Sequence, residues 1–314
     1  MVTAFLQKIL SNDHRTLSQV ITQIENEEPL PDGFFDKLYP HANQALRLGI
    51  TGPPGAGKST LTDQLIRRYL ERGRSIGVVT VDPSSPFTGG ALLGDRVRMN
   101  QYAWDERVFI RSMGSHGHPG GLARKSQEVG DVLSASGKDV IIFETIGVGQ
   151  AELDVAQAVD ITMVVLVPES GDEIQIMKAG LIEIADLFVV NKADREGAGR
   201  LSQLLKSLIH SFAQPEQVEP PVFTTIANQG EGVDDLFRGI QDYLDKLSQS
   251  GKLDQKRLER HRHRILSLVQ ERLLDSFWTS EKITAFEKQT QSIDSIQDSP
   301  YKISAALLNS FDHV

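Results

Sequence analysis

The chain has 314 residues, a formal net charge of −9, 39% apolar residues and no cysteine. Such a length and apolar share permit a sizeable core, with one large domain plus helical appendages expected. The missing thiols exclude disulfides, thiolate metal sites and a cysteine nucleophile, and the acidic balance argues against a nucleic-acid surface, which would show as a basic stripe. The longest apolar run, Ile161–Val167, falls far short of the roughly 18 residues that span a bilayer, and Met1–Asp13 has no signal-like apolar core. A cytoplasmic protein without a membrane partner is expected, a matrix protein being the alternative.

In chain order, Leu6, Ile9, Leu10, Leu17, Val20, Ile21 and Ile24 recur at three- and four-residue steps, which predicts a helical arm from Thr3 to Glu28 that Pro29 and Pro31 end; residues 1–45 are assigned to it. From Arg47 short apolar runs alternate with helical stretches, the pattern of parallel strands joined by crossover helices. The predicted strands are Arg47–Thr51, Ile76–Val81, Val108–Arg111, Val140–Phe143, Ile161–Val167, Leu187–Val190 and Val222–Thr225. They form an α/β, doubly wound, mainly parallel sheet over residues 46–247. Beyond Leu247 no strand signal returns. Leu258, Ile265, Leu266, Leu268, Val269, Leu273 and Leu274 keep helical spacing, so 248–314 is expected to be a helical extension that packs on the main domain or forms the arm of a homodimer.

Gly52, Pro53, Pro54, Gly55, Ala56, Gly57, Lys58, Ser59 and Thr60 stand between the first strand and a helical pattern and fit G-x-x-x-x-G-K-[ST] at every fixed position. The glycines let successive N–H groups turn toward phosphate, and the helix that follows adds the positive end of its dipole. Lys58 is placed to reach the β- and γ-phosphates. Ser59 is placed to put its hydroxyl on the magnesium ion that bridges them. A second motif, Asn191, Lys192, Ala193 and Asp194, follows the run Leu187–Val190. An ionised Asp194 can accept both N1–H and N2–H of guanine, whereas adenine offers a lone pair at N1. The expected ligands are therefore GTP and GDP with magnesium.

Three acids lie beside turn-rich sequence between these motifs: Asp82 at the end of the second strand, Asp95 after Gly94, and Glu144 at the end of the fourth. Glu144-x-x-Gly147 occupies the place where the usual GTPase pattern has Asp-x-x-Gly. There a carboxylate can hold a magnesium-bound water, and the Gly147 N–H can bond the γ-phosphate and be released on hydrolysis. Each acid also reads as a strand-end cap or a solvated turn.

Val81-Asp-Pro-Ser-Ser-Pro, Thr88-Gly-Gly, Leu93-Gly-Asp-Arg, Glu144-Thr-Ile-Gly-Val-Gly-Gln150, Gly171-Asp-Glu-Ile-Gln175, Lys178-Ala-Gly, Glu183-Ile-Ala-Asp186 and Asn191-Lys-Ala-Asp194 together resemble the MeaB/ArgK group, GTPases associated with methylmalonyl-CoA mutase. The likeness begins at residues 21–26 and weakens after about Leu247. It implies a G-protein chaperone that gates adenosylcobalamin loading and protects an acyl-CoA mutase. It also implies that Asp82, Asp95 and Glu144 surround magnesium and the γ-phosphate, and that Glu169–Lys178 is a further switch in which Asp172 and Lys178 couple nucleotide state to the partner. Lys178 would add positive charge at the transferring phosphoryl group. Pattern alone makes Asp172 a helix cap and Lys178 a solvated helix residue.

Two positions depart from the family. Thr225-Ile-Ala227 stands where Ser-Ala is usual, leaving the Ala227 N–H to contact the guanine oxygen without the serine hydroxyl. His116 follows Ser115 where arginine is expected. Three rival readings remain: a metallochaperone GTPase, which the missing cysteines and the isolated His116/His118 and His261/His263 pairs disfavour; a kinase linked to amino-acid transport, which Asp194 disfavours; and a non-hydrolysing GTP-binding module.

Overall fold

In the computed structural model the described residues are 2–82, 100–102, 104–114, 121–145, 155–170, 181–212, 218–291 and 293–309. The chain divides into two compact units, Met1–Lys256 and Arg257–Val314.

The first unit is built on seven strands: β1 (Leu46–Thr51), β2 (Ile76–Asp82), β3 (Val108–Gly114), β4 (Val140–Thr145), β5 (Ile161–Leu166), β6 (Leu187–Asn191) and β7 (Val222–Thr225). They form one sheet in the order β3-β2-β4-β1-β5-β6-β7, and every pair is parallel. Parallel sheets carry helices on both faces, so both sets of alternating side chains are apolar and the strands read as continuous hydrophobic runs. Leu48, Ile50, Val78, Ile142, Met163 and Val165 pack on one face with α4 (Lys58–Glu71) and α8 (Val233–Gln249). On the other face Val79, Val81, Ile141 and Phe143 pack with the N-terminal helices and α5 (Gly121–Ala135). Val164, Leu166, Phe188 and Val190 pack there with α7 (Ala198–Phe212). A short α6 (Leu181–Ile184) precedes β6. All seven predicted strands are present, and several run one to three residues beyond the predicted ends. The extra residues include Asp82, Thr145 and Asn191, polar groups that propensity reads as turn but that the ladder retains.

The helix predicted over Thr3–Glu28 is two helices, α1 (Val2–Leu10) and α2 (His14–Asn26). Asn12 breaks the run in the left-handed region at φ 60°, and the Asp13 carboxylate accepts the Thr16 N–H at 2.6 Å, which caps α2. Periodicity carried across this break because Ile9, Leu17 and Ile24 reach one core; the Asn-Asp capping signal was the decisive local feature. Glu27, at φ 58°, ends α2 before either proline. A short α3 (Phe34–Leu38) completes this layer. Arg47 is buried in it, bridged to Asp131 at 2.5 Å, while its backbone N–H donates to the Asp160 carboxylate.

The second unit holds most of α9 (Lys252–Phe277), then α10 (Ser280–Gln289) and α11 (Pro300–Asn309). Within it Trp278 sets its ring edge-on to Phe277 and Phe286. Leu258, Ile265, Leu266, Val269, Leu273 and Leu274 are exposed along α9.

Candidate nucleotide site

The sheet order puts β1 between β4 and β5, where successive strands diverge to opposite sides. Open α/β sheets bind ligands at such a switch point, outside the carboxyl ends of the strands. The phosphate loop leaves β1 there. Gly52 has φ 136°, and a Cβ on it would lie 2.0 Å from the Val165 carbonyl oxygen of β5; only a glycine lets the loop pass so close to the neighbouring strand. Gly57 has φ 87°, and a Cβ there would lie 2.3 Å from Asn191 Nδ2. Gly57 also caps α4 without any side-chain hydrogen bond, and no acid stands in the first turn, so the first N–H groups of the helix are left to an anion.

Lys58 folds back over the loop, its Nζ donating to the carbonyls of Gly52 at 2.7 Å and Pro53 at 3.1 Å. Those bonds hold the ammonium at the place where phosphate oxygens would arrive. On the adjoining strand Glu144 is 1% exposed. One of its carboxylate oxygens accepts the Ser59 hydroxyl at 2.5 Å and the other accepts the Thr62 hydroxyl at 2.9 Å. Beside these, the hydroxyls of Thr51 and Thr145 join the carboxyl ends of β1 and β4 at 3.0 Å.

The base motif reaches the phosphate loop through Asn191, which is 3% exposed. Its Nδ2 donates to the Ala56 carbonyl at 2.8 Å, while its Oδ1 accepts the Thr225 hydroxyl at 3.0 Å and the Ala227 N–H at 3.1 Å. One carboxamide thus ties together the phosphate loop, the end of β6 and the loop after β7. Lys192 turns the chain immediately after β6 with φ 56°, and Asp194 is exposed beyond it. Arg195 bonds Glu169 at the end of β5, and that hydrogen bond holds the Glu169 carboxyl below the usual carboxylate range.

Lys58, Ser59 and Glu144 therefore converge at the end of β1 and β4, with Asn191 and Ala227 alongside, while Thr60 follows them in the first turn of α4. The Ala227 N–H, expected at the guanine oxygen, is engaged by Asn191. Asp82 closes β2, but its side chain lies outside the described residues, as do Asp95, Gly147, Asp172, Lys178, His116 and His118. Two contributors carry no motif signal. Thr62 lies past the end of the phosphate-loop pattern. Thr225, two residues before Ala227, spends its hydroxyl on Asn191, a contact that the run of residues does not reveal.

The donor set suits a hard divalent cation, which takes oxygen ligands. Thr80 is paired in register with Glu144, so both side chains lie on the same face of the sheet, and its buried hydroxyl has no hydrogen-bond partner among the described residues. An unsatisfied buried hydroxyl on the strand next to the Glu144 carboxylate marks a polar position that water or an ion's hydration shell would satisfy.

Comparison with known proteins is consistent with this geometry. Residues 17–282 match the family described as "Methylmalonyl Co-A mutase-associated GTPase MeaB". A protein of Pyrococcus abyssi named as a GTPase is 40% identical over 311 residues, covering 98% of this chain and 96% of the relative. GTPase ArgK of Escherichia coli is 34% identical over 293 residues, with 91% and 88% covered. The crystal structure of an LAO/AO transport system kinase superposes with a TM-score of 0.74 at 26% identity, covering 98% of this chain and 96% of that one.

Proposed function

This chain belongs to the MeaB family of methylmalonyl-CoA mutase-associated GTPases, and from that premise we propose that it uses GTP hydrolysis to gate adenosylcobalamin loading and to protect an acyl-CoA mutase. It is a P-loop GTPase that binds guanine nucleotide. What supports the finer reading is that Asn191 and Glu144, at the buried ends of β6 and β4, hydrogen-bond Ala56 and Ser59 of the phosphate-loop motif, so that occupancy of that motif would be felt at the sheet.

In this reading the α4 N-terminus and Lys58 bind the phosphates, and Asp194 selects guanine. Ser59 and Glu144 would hold magnesium, with Asp82 and Asp95 as further proposed ligands; the ion would neutralise charge on the β- and γ-phosphates. Gly147 and Lys178 are proposed to contact or stabilise the γ-phosphoryl group. Asp172 and Lys178 are proposed to pass its loss on to the partner. The chain's own groups act by positioning and by electrostatics, which carry most of phosphoryl-transfer catalysis.

The exposed apolar residues of α9 support reading 248–314 as a dimerisation arm. Among the described residues no helix is long and apolar enough to cross a membrane; a cytoplasmic location is part of the proposal.

The test is GTP hydrolysis by the pure protein, with ATP as control, in the presence and absence of the adenosylcobalamin-dependent acyl-CoA mutase of the same source. Acceleration by the mutase is expected. GTP hydrolysis indifferent to every such mutase would retain the GTPase and overturn the partner assignment.

A further inference from the structure

We infer that Thr62, which lies outside every nucleotide-binding motif of the chain, is a positioning residue that holds the Glu144 carboxylate toward the magnesium position beside Ser59. The inference rests on reading this site as one for magnesium and guanine nucleotide.

Ser59 and Thr62 are three residues apart on α4 and so share one face of the helix. Both donate to Glu144, one to each carboxylate oxygen, at 2.5 and 2.9 Å. A buried threonine in a helix commonly turns its hydroxyl back to its own backbone. Thr62, fully buried, instead reaches across to β4.

The two hydroxyls are not equivalent. The Ser59 oxygen is the one a phosphate-loop magnesium ion takes as a ligand, so its bond to Glu144 must accommodate arrival and departure of the ion. Thr62 lies most of a helical turn further from the loop, and its bond is independent of that event. Glu144 also carries one more methylene than the aspartate usual at this strand end, hence one more rotor to immobilise. A second donor on the distal oxygen fixes that rotor before any ion arrives. Partners of this kind, which orient a ligand without touching the metal, commonly affect metal affinity by roughly 10–100-fold.

The experiment uses the full chain loaded with a fluorescent GDP analogue. Release of the analogue is followed across a magnesium titration and in excess chelator, for the wild type, Thr62→Val and Thr62→Ser. Valine keeps the branched shape and loses only the hydroxyl; thermal melting of each GDP-free variant checks that it folds. Thr62→Val is expected to raise the magnesium concentration that half-maximally slows release by roughly 10–100-fold, to leave the rate in chelator unchanged, and to be rescued by Thr62→Ser. An unchanged magnesium midpoint would overturn the inference. So would equally faster release with and without magnesium, which is the mark of a generally loosened site. A wild type whose GDP release ignores magnesium would overturn the magnesium reading itself, whereas a responsive wild type with an unaltered Val variant would overturn only the role of Thr62.

Discussion

Asn191→Ala removes one carboxamide and three buried hydrogen bonds, to the Ala56 carbonyl, the Thr225 hydroxyl and the Ala227 N–H. Each such bond contributes about 1 kcal/mol net, and a buried donor left unpaired costs about 1–3 kcal/mol. The Thr225 hydroxyl can rotate to another acceptor, but the Ala227 N–H, in a residue 2% exposed, cannot turn away. With the Thr225 bond discounted, two bonds and one stranded N–H sum to a loss of about 3–5 kcal/mol, a large share of the roughly 5–15 kcal/mol by which a domain is stable. Urea unfolding of the nucleotide-free protein measures it. Binding of GTP and GDP should weaken in parallel, because the phosphate loop and the base loop lose their common tie. Gly57→Ala attacks the same contact from the other side, since its Cβ would sit 2.3 Å from Asn191 Nδ2. In the double variant the carboxamide is already gone and only the cost of an alanine at φ 87° remains. The two costs should therefore add to less than their sum. A loss below about 1 kcal/mol for Asn191→Ala, comparable to a single ordinary hydrogen bond, or strict additivity with Gly57→Ala, would refute the bridging role.

Further outcomes follow from the same geometry. Asp194→Asn should lower the preference for GTP over ATP, read by competition binding; retained selectivity would remove the base assignment. Gly52→Ala should abolish nucleotide binding while Lys58 is intact, because the new Cβ would lie 2.0 Å from a β5 carbonyl; binding at wild-type strength would show that the loop can yield. Burial pushes the Lys138 amine down to about 8 from the ordinary 10.5, while its Nζ donates to the carbonyls of Glu106 and Arg107. The folded chain thus holds this proton less tightly than the unfolded chain. Burial of the charged amine weighs fully against folding below about pH 8, and stability from this group rises as pH moves from about 8 toward 10.5. Comparing urea midpoints at those two pH values should show a smaller rise in Lys138→Met than in the wild type, and an equal rise would exclude Lys138 as the source.

Local chemistry made the nucleotide loop legible before any fold was known. Gly52, Gly57, Lys58 and Ser59 meet needs that are met within a few residues of each other: positive φ, an open helix end, a cation and a hydroxyl. The strands were legible too, because burial on both sheet faces writes them as apolar runs. The Asn12–Asp13 break was legible as capping chemistry, but a periodicity that serves one shared core on both sides of it masked the signal.

What no segment carries by itself is adjacency across the sheet. Glu144 and Thr62 are 82 residues apart and Asn191 and Ala56 are 135 apart, and they meet because β1 lies between β4 and β5 with β6 one strand further out. The amino-acid sequence by itself determined the phosphate-loop and base motifs from which the phosphate-binding groups and the guanine preference are proposed, since each motif is complete within a few consecutive residues. The tertiary structure alone decided that Thr62 meets Glu144 and that Asn191 ties the phosphate loop and the chain after β7 to the end of β6, because strand order is settled by the packing of the whole core and not by any one of its segments.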